Sequence, residues 1–201
     1  MSLQSFQLAD LDGYLMEGQA SPRASADFRL LYVGRDNVHE ALKHVLRRVT
    51  VSLYLNMFGY DDDELNTLVM DVVHNPNITC LITLDKSQAG GVHEKRLLQS
   101  DAAQDPEGFR THFVVGQSAT HQISHTKGFV ADGLVGAEGS TNWSTSGEGT
   151  FVVAGKPGGV GFKAQNNTQS FFTCPDAVTR FQAELIAEHV AAQRGQRVAA
   201  Q

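Results

Sequence analysis

The hydrophobic positions of this chain fall into short apolar runs that alternate with stretches of helical spacing. Phe28 to Gly34, FRLLYVG, is an apolar run fit for a buried strand. NVHEALKHVLRRV, Asn37 to Val49, places Val38, Leu42, Val45 and Leu46 at helical spacing behind Asp36, which is expected to cap the helix. A strand is predicted over Thr50–Phe58. A helix follows over Tyr60–Val73, its Asp run suited to the positive end of the helix dipole. Asn77–Asp85 predicts a third strand, and Asp85–Ser100 a loop and a third helical stretch. Asp105-Pro106 marks a break.

The second half is patterned for hairpins. Strands are predicted at THFVVG (Thr111–Gly116), SHTKGFVA (Ser124–Ala131) and LVGAE (Leu134–Glu138). The last two are joined by the hairpin turn signal Asp132-Gly133. GKPGGVG, Gly155 to Gly161, reads as a flexible hairpin loop. It is not a P-loop, because no Gly-Lys is followed by Ser or Thr. TQSFFT (Thr168–Thr173) is a last strand, and a long helix starts at Pro175. The strand–helix alternation predicts an α/β fold, with a mixed, mainly parallel sheet flanked by helices on both faces. No internal repeat is visible. Residues 1–26 are weakly patterned and read as an N-terminal segment and linker, ordered structure starting at Phe28. Residues 27–201 form the expected domain.

Composition narrows the classes. The 201 residues suffice for one full core, and 41% hydrophobic with 19% charged residues describes a soluble globular chain. A net charge of -6 argues against broad clamping of DNA phosphates, as does Asp61-Asp62-Asp63. KHVLRR, Lys43 to Arg48, reads as a solvated basic face. Cys80 and Cys174 read as buried free thiols, since no Cys-x-x-Cys pairing exists. No run is apolar enough to span a membrane, and no basic amphipathic helix points to a membrane surface. The N-terminus lacks the charged and apolar regions of a signal peptide, so the chain reads as cytoplasmic.

The chemistry is concentrated in Ser124 to Ser144, SHTKGFVADGLVGAEGSTNWS. His125-x-Lys127 is followed after four residues by Asp132, and after six more by Gly139-Ser140-x-Asn142. Six such fixed placements arise by chance at roughly one start position in 10⁸. On a strand, His125 and Lys127 project to one face. A neutral imidazole can attack phosphorus, a lysine ammonium can stabilise the phosphoryl oxygens, and an asparagine amide can donate to them. Asp132 is either the first residue of its turn or positions the site from the end of the hairpin.

HTKGFVAD with GSTN resembles the His-x-Lys-x4-Asp motif and downstream Gly-Ser-x-Asn of the phospholipase D superfamily, and LDKSQ, Leu84 to Gln88, resembles the end of that family's third strand. The resemblance covers about Phe28 to Gln193. It implies a metal-independent phosphodiesterase needing no cofactor, with His125 as the nucleophile that forms a phosphohistidine. Lys127 and Asn142 would hold the phosphate, Ser140 would support the turn and the site, and a second copy of the motif would supply the acid. That copy is absent from this chain. His93-x-Lys95 has Asp101 at the wrong spacing and a helical setting. His39 and His44 are five apart, which does not fit a zinc-protease helix, and read as surface or packing residues. His121 reads as a loop residue.

The resemblance to single-motif members therefore implies a homodimer with the active site at the twofold axis. Small nuclease relatives carry a carboxylate that orients the nucleophilic imidazole. Here QNNTQSFF puts Asn167 or Gln169 in that place, with Glu148 as the nearest downstream acid. The substrate implied is a nucleic-acid or phospholipid phosphodiester. The alternative is a phosphate- or nucleic-acid-binding module that kept the fold and lost turnover.

Overall fold

The computed structural model describes residues 2–85, 95, 99, 113–116, 123–150 and 163–199. Its strands are β1 (Phe28–Tyr32), β2 (Ser52–Met57), β3 (Thr79–Asp85), β4 (Phe113–Gly116), β5 (Lys127–Ala131), β6 (Val135–Gly139) and β7 (Thr168–Phe172). Its helices are α1 (Val38–Leu46), α2 (Asp63–Val73), α3 (Thr145–Glu148) and α4 (Pro175–Ala199). Most of the third helical stretch, the Gly155–Gly161 loop, His93 and His121 lie outside the described residues; of that stretch Lys95 and Gln99 are described, and both are helical.

The strands form one sheet in the order β1-β7-β6-β5-β2-β3-β4. It is mixed, with helices on both faces, as expected. The expectation of a mainly parallel sheet needs correction: β2–β3 and β3–β4 pair in parallel, and the other four pairings are antiparallel. β1, β2, β3 and β4 do run the same way. The β5–β6 hairpin and β7 then insert between β1 and β2, and each insertion adds antiparallel neighbours.

Alternation sorts the two faces. Leu53, Leu55 and Met57 of β2 join Phe129, Ala137 and Phe171 in the main core, with α1 and α2. Tyr54 and Val130 point to the other face, where Val178 and Leu185 of α4 cover them. No helix among the described residues is long and apolar enough to cross a membrane. Cys80 is buried and Cys174 partly buried, and neither forms a disulfide among the described residues.

Two local readings change. Asp36 does not cap α1. Asn37 does, accepting from Glu40 N at 3.2 Å, while the Asp36 carboxylate accepts from Tyr32 N and Met16 N. Ordered structure also begins well before Phe28. Two 3₁₀ turns, Leu3–Ser5 and Leu8–Tyr14, put Leu3, Leu8 and Leu11 into the main core. At about 1.5–3 kcal/mol per buried leucine, that docking offsets the cost of ordering short helices with little stability of their own. Three apolar residues spaced across two short turns leave too little periodicity to be read from sequence.

Candidate active site

The carboxyl end of β2 and the amino end of β5 meet, because Met57 pairs with Lys127 in an antiparallel ladder. The ends of β3 at Asp85 and β6 at Gly139, and the start of β7 at Thr168, lie along the same edge. This is the edge outside the carboxyl ends of the parallel strands, where open α/β sheets place ligands.

His125 sits two residues before β5 and is exposed. Its backbone is held through its neighbour. The buried Ser124 donates its N–H to Asp85 Oδ2 at 2.6 Å, and its hydroxyl bonds the buried Asn56 amide at 2.8 Å. The imidazole packs edge-on against Phe58, 4.5 Å between centroids. Lys127 Nζ lies 4.9 Å from the same ring centroid and donates to the His125 carbonyl at 2.8 Å. Lys127 is 4% exposed. Burial pulls its pKa below the ordinary lysine value, and the charges of Asp85 and Glu138 offset part of that pull.

Asn142 follows β6. Its side chain lies against Gly59, where a Cβ would come within 2.9 Å of Asn142 Cγ. Position 59 therefore has to be glycine for this approach. Asn142 Oδ1 is buried and has no hydrogen-bond partner among the described residues. The loop after Phe58 is tied to the motif again by Asp61 N to Trp143 O at 2.6 Å and Trp143 N to Gly59 O at 2.8 Å.

The other expected residues are placed differently. Ser140 is exposed and ties β6 to β7, donating to Asn167 Oδ1 at 3.1 Å and accepting from Thr168 N at 3.0 Å. Asp132 is at the opposite edge, beyond the far end of β5. Its carboxylate accepts from Thr50 N, Val51 N, Ser52 N and the Thr50 hydroxyl at 2.8–3.1 Å. It takes a left-handed conformation, φ 53°, followed by Gly133 at φ 67°, so the hairpin turn is as predicted.

Neither expected orienting group hydrogen-bonds His125. Asn167 donates to Gly147 O at 3.0 Å and accepts from Ser140. Glu148 is fully buried and bonds His39 Nδ1. Burial raises the Glu148 pKa to about 7 against the hydrogen bond from His39. Burial also opposes charge on His39, yet the bond to Glu148 and the charges of Glu148 and Asp62 hold its pKa above the ordinary value. The pair thus holds a proton more firmly than exposed groups would.

Sequence reasoning missed Phe58 and His39. Phe58 read as the end of a strand, and only the β2–β5 pairing brings it to His125. His39 read as a surface or packing residue, and its partner lies 109 residues away. Lys43 is not on a solvated face either: it is 6% exposed and ion-paired with Glu40 and Glu64.

No family model and no curated protein matches the sequence. Solved structures do match the fold. Nuc from Salmonella typhimurium, a phospholipase D family member, superposes with a TM-score of 0.55 at 12% identity, over 80% of this chain and 92% of that one. NucT from Helicobacter pylori gives 0.53 at 11% identity, over 80% and 94%. Phosphatidylserine synthase from Haemophilus influenzae Rd KW20 gives 0.50 at 14%, over 76% of this chain and 34% of that one. At these identities the likeness is one of architecture: the chain has the phospholipase D fold.

Proposed function

We propose that this protein is a metal-independent phosphodiesterase that works through a covalent phosphohistidine on His125, as a homodimer with the active site at the twofold axis. The observation that carries the reading is the convergence of His125 and Lys127 on Phe58, at the sheet edge where Gly59 packs against Asn142.

In the first step a lone pair of the His125 imidazole attacks phosphorus. The bond from phosphorus to the leaving oxygen breaks, and that oxygen takes a proton from the His125 imidazolium of a second copy. In the second step that imidazole accepts a proton from water. The resulting hydroxide attacks phosphorus, the P–N bond breaks, and both histidines return to their starting state. Lys127 and the Asn142 amide stabilise the charge on the non-bridging oxygens. Asp132 contributes from a distance, by fixing the hairpin that carries the motif.

A non-catalytic binding module is the second reading. It is favoured by the commitment of Glu148 and Asn167 to partners other than His125.

Hydrolysis of bis-p-nitrophenyl phosphate in excess EDTA separates the two. Turnover is expected, abolished by His125→Asn while sedimentation still shows a dimer. Full activity of that variant overturns the histidine mechanism. Turnover that is lost in EDTA and restored by metal overturns metal independence. Binding without turnover in either condition establishes the module. Single-stranded DNA, double-stranded DNA and phosphatidylcholine then distinguish the substrate classes.

A further inference from the structure

Behind the Gly59–Asn142 contact lies a cluster that the proposed chemistry does not use. His39 on α1, Asp62 at the N-cap of α2 and Glu148 at the end of α3 converge from three separate elements. Their side chains are 10%, 11% and 0% exposed. One ligand atom from each lies within 4.8 Å of the others. His39 Nδ1 contacts Glu148 Oε2 and lies 3.7 Å from Asp62 Oδ2.

The charges around this cluster do not balance. Lys43 is committed to Glu40 and Glu64. That leaves two carboxylates with low exposure sharing one imidazole. Asp62 Oδ1 accepts from Leu65 N at 2.7 Å, so the start of α2 satisfies half of that carboxylate. Glu148 has weaker relief, from the His39 bond and the Ser144 backbone, against complete burial. Its Oε1 is buried and has no hydrogen-bond partner among the described residues. A buried carboxylate oxygen without a partner, on a side chain that belongs to a group of ligating atoms, leaves a place where a cation can replace a proton.

We propose that His39 Nδ1, Asp62 Oδ2 and the Glu148 carboxylate form a binding site for a divalent transition-metal ion. One nitrogen and two oxygen donors suit zinc, whose bonds to such atoms are about 2.0–2.2 Å long. With bonds of that length tetrahedral donors stand about 3.4 Å apart, so the 3.7 Å between His39 and Asp62 already suits an ion, and the His39–Glu148 contact would open to admit it. The other ring nitrogen, His39 Nε2, faces Glu64 Oε2 at 3.6 Å, and a carboxylate in that position orients a ligating imidazole. Bound metal would fasten α3 to α1 and to the start of α2. Asn142 lies just before α3, and Gly59 just before α2, so the ion would brace the two loops that carry them. The ion site itself does not depend on the proposed phosphodiesterase chemistry, and because chelation would also release this bracing ion, metal independence of turnover is judged on Glu148→Gln with and without EDTA.

The test is isothermal titration of chelator-stripped full-length protein with zinc chloride near neutral pH. One ion per chain is expected, with a raised thermal midpoint. Glu148→Gln and His39→Asn, each checked for folding by circular dichroism, should weaken binding at least tenfold. X-ray absorption of the wild-type zinc form needs no variant, and should show a shell of nitrogen and oxygen with one imidazole. No uptake by the folded wild type overturns the proposal and leaves the cluster a proton-holding network. Undiminished binding in both folded variants overturns it, as does sulfur in the shell, which would point to Cys80 or Cys174.

Discussion

Phe58 packs edge-on against His125, 4.5 Å between ring centroids, and the same ring lies 4.9 Å from the Lys127 ammonium. One aromatic side chain thus orders both motif residues. An aromatic pair contributes about 0.5–1.5 kcal/mol beyond its area, and a nearby ammonium about 0.5–1 kcal/mol more. Among the described residues no side chain hydrogen-bonds the imidazole, so this packing is its main restraint. Phe58→Ala is expected to lower kcat about 10–100-fold with little change in KM, since misplacing a reacting group costs about that much. Phe58→Tyr, which keeps the ring, should retain most turnover. Steady-state kinetics on bis-p-nitrophenyl phosphate decide it. An unchanged kcat in Phe58→Ala would mean that something else holds His125.

Asp132 gives a contrasting prediction. Its carboxylate serves three successive backbone N–H groups and one hydroxyl where β2 begins. Hydrogen bonds to a charged acceptor contribute about 1.5–3 kcal/mol each, with partial compensation from water at this half-exposed edge. Asp132→Ala should therefore cost about 2–3 kcal/mol in urea unfolding. Turnover per folded molecule should fall far less than in Lys127→Ala. A variant of normal stability and no activity would place Asp132 in the chemistry after all.

His44 anchors the N-terminal segment. It bonds Tyr14 Oη through Nδ1 at 2.9 Å and packs against Phe6. Burial lowers its pKa below 6.5, and Arg48 and Arg47 add to this against Asp10. The folded form therefore binds a proton less readily than the unfolded chain. Its contribution is fully present above pH 6.5 and is lost as pH falls from there through the lowered value. The buried Nε2 has no hydrogen-bond partner among the described residues, so nothing there offsets the added charge. Acid should speed hydrogen exchange in Leu3–Tyr14 and lower the urea midpoint. His39 and Glu148, whose pKa values are raised, act in the opposite sense. The difference between wild type and His44→Gln isolates the effect. Parallel pH profiles for the two would rule it out.

Much of this protein is written locally. Period-two and helical patterns located the strands, α1, α2 and α4, because burial of one face imposes its period on the sequence. The Asp132-Gly133 turn was legible because few residues accept φ above zero. The spacing of His125, Lys127 and Asn142 was legible because one hairpin carries all three. The rest depends on partners distant in sequence. Strand order places β7, β6 and β5 between β1 and β2, and no local pattern encodes which edges meet. That order brings Phe58 to His125, sends Asp132 to Thr50–Ser52, and gives Glu148 to His39. The sequence by itself determined which polar side chains the β5–β6 hairpin and its flanks carry. Only the tertiary structure decided what holds each of them, because support comes from whichever strand or helix the sheet packs alongside.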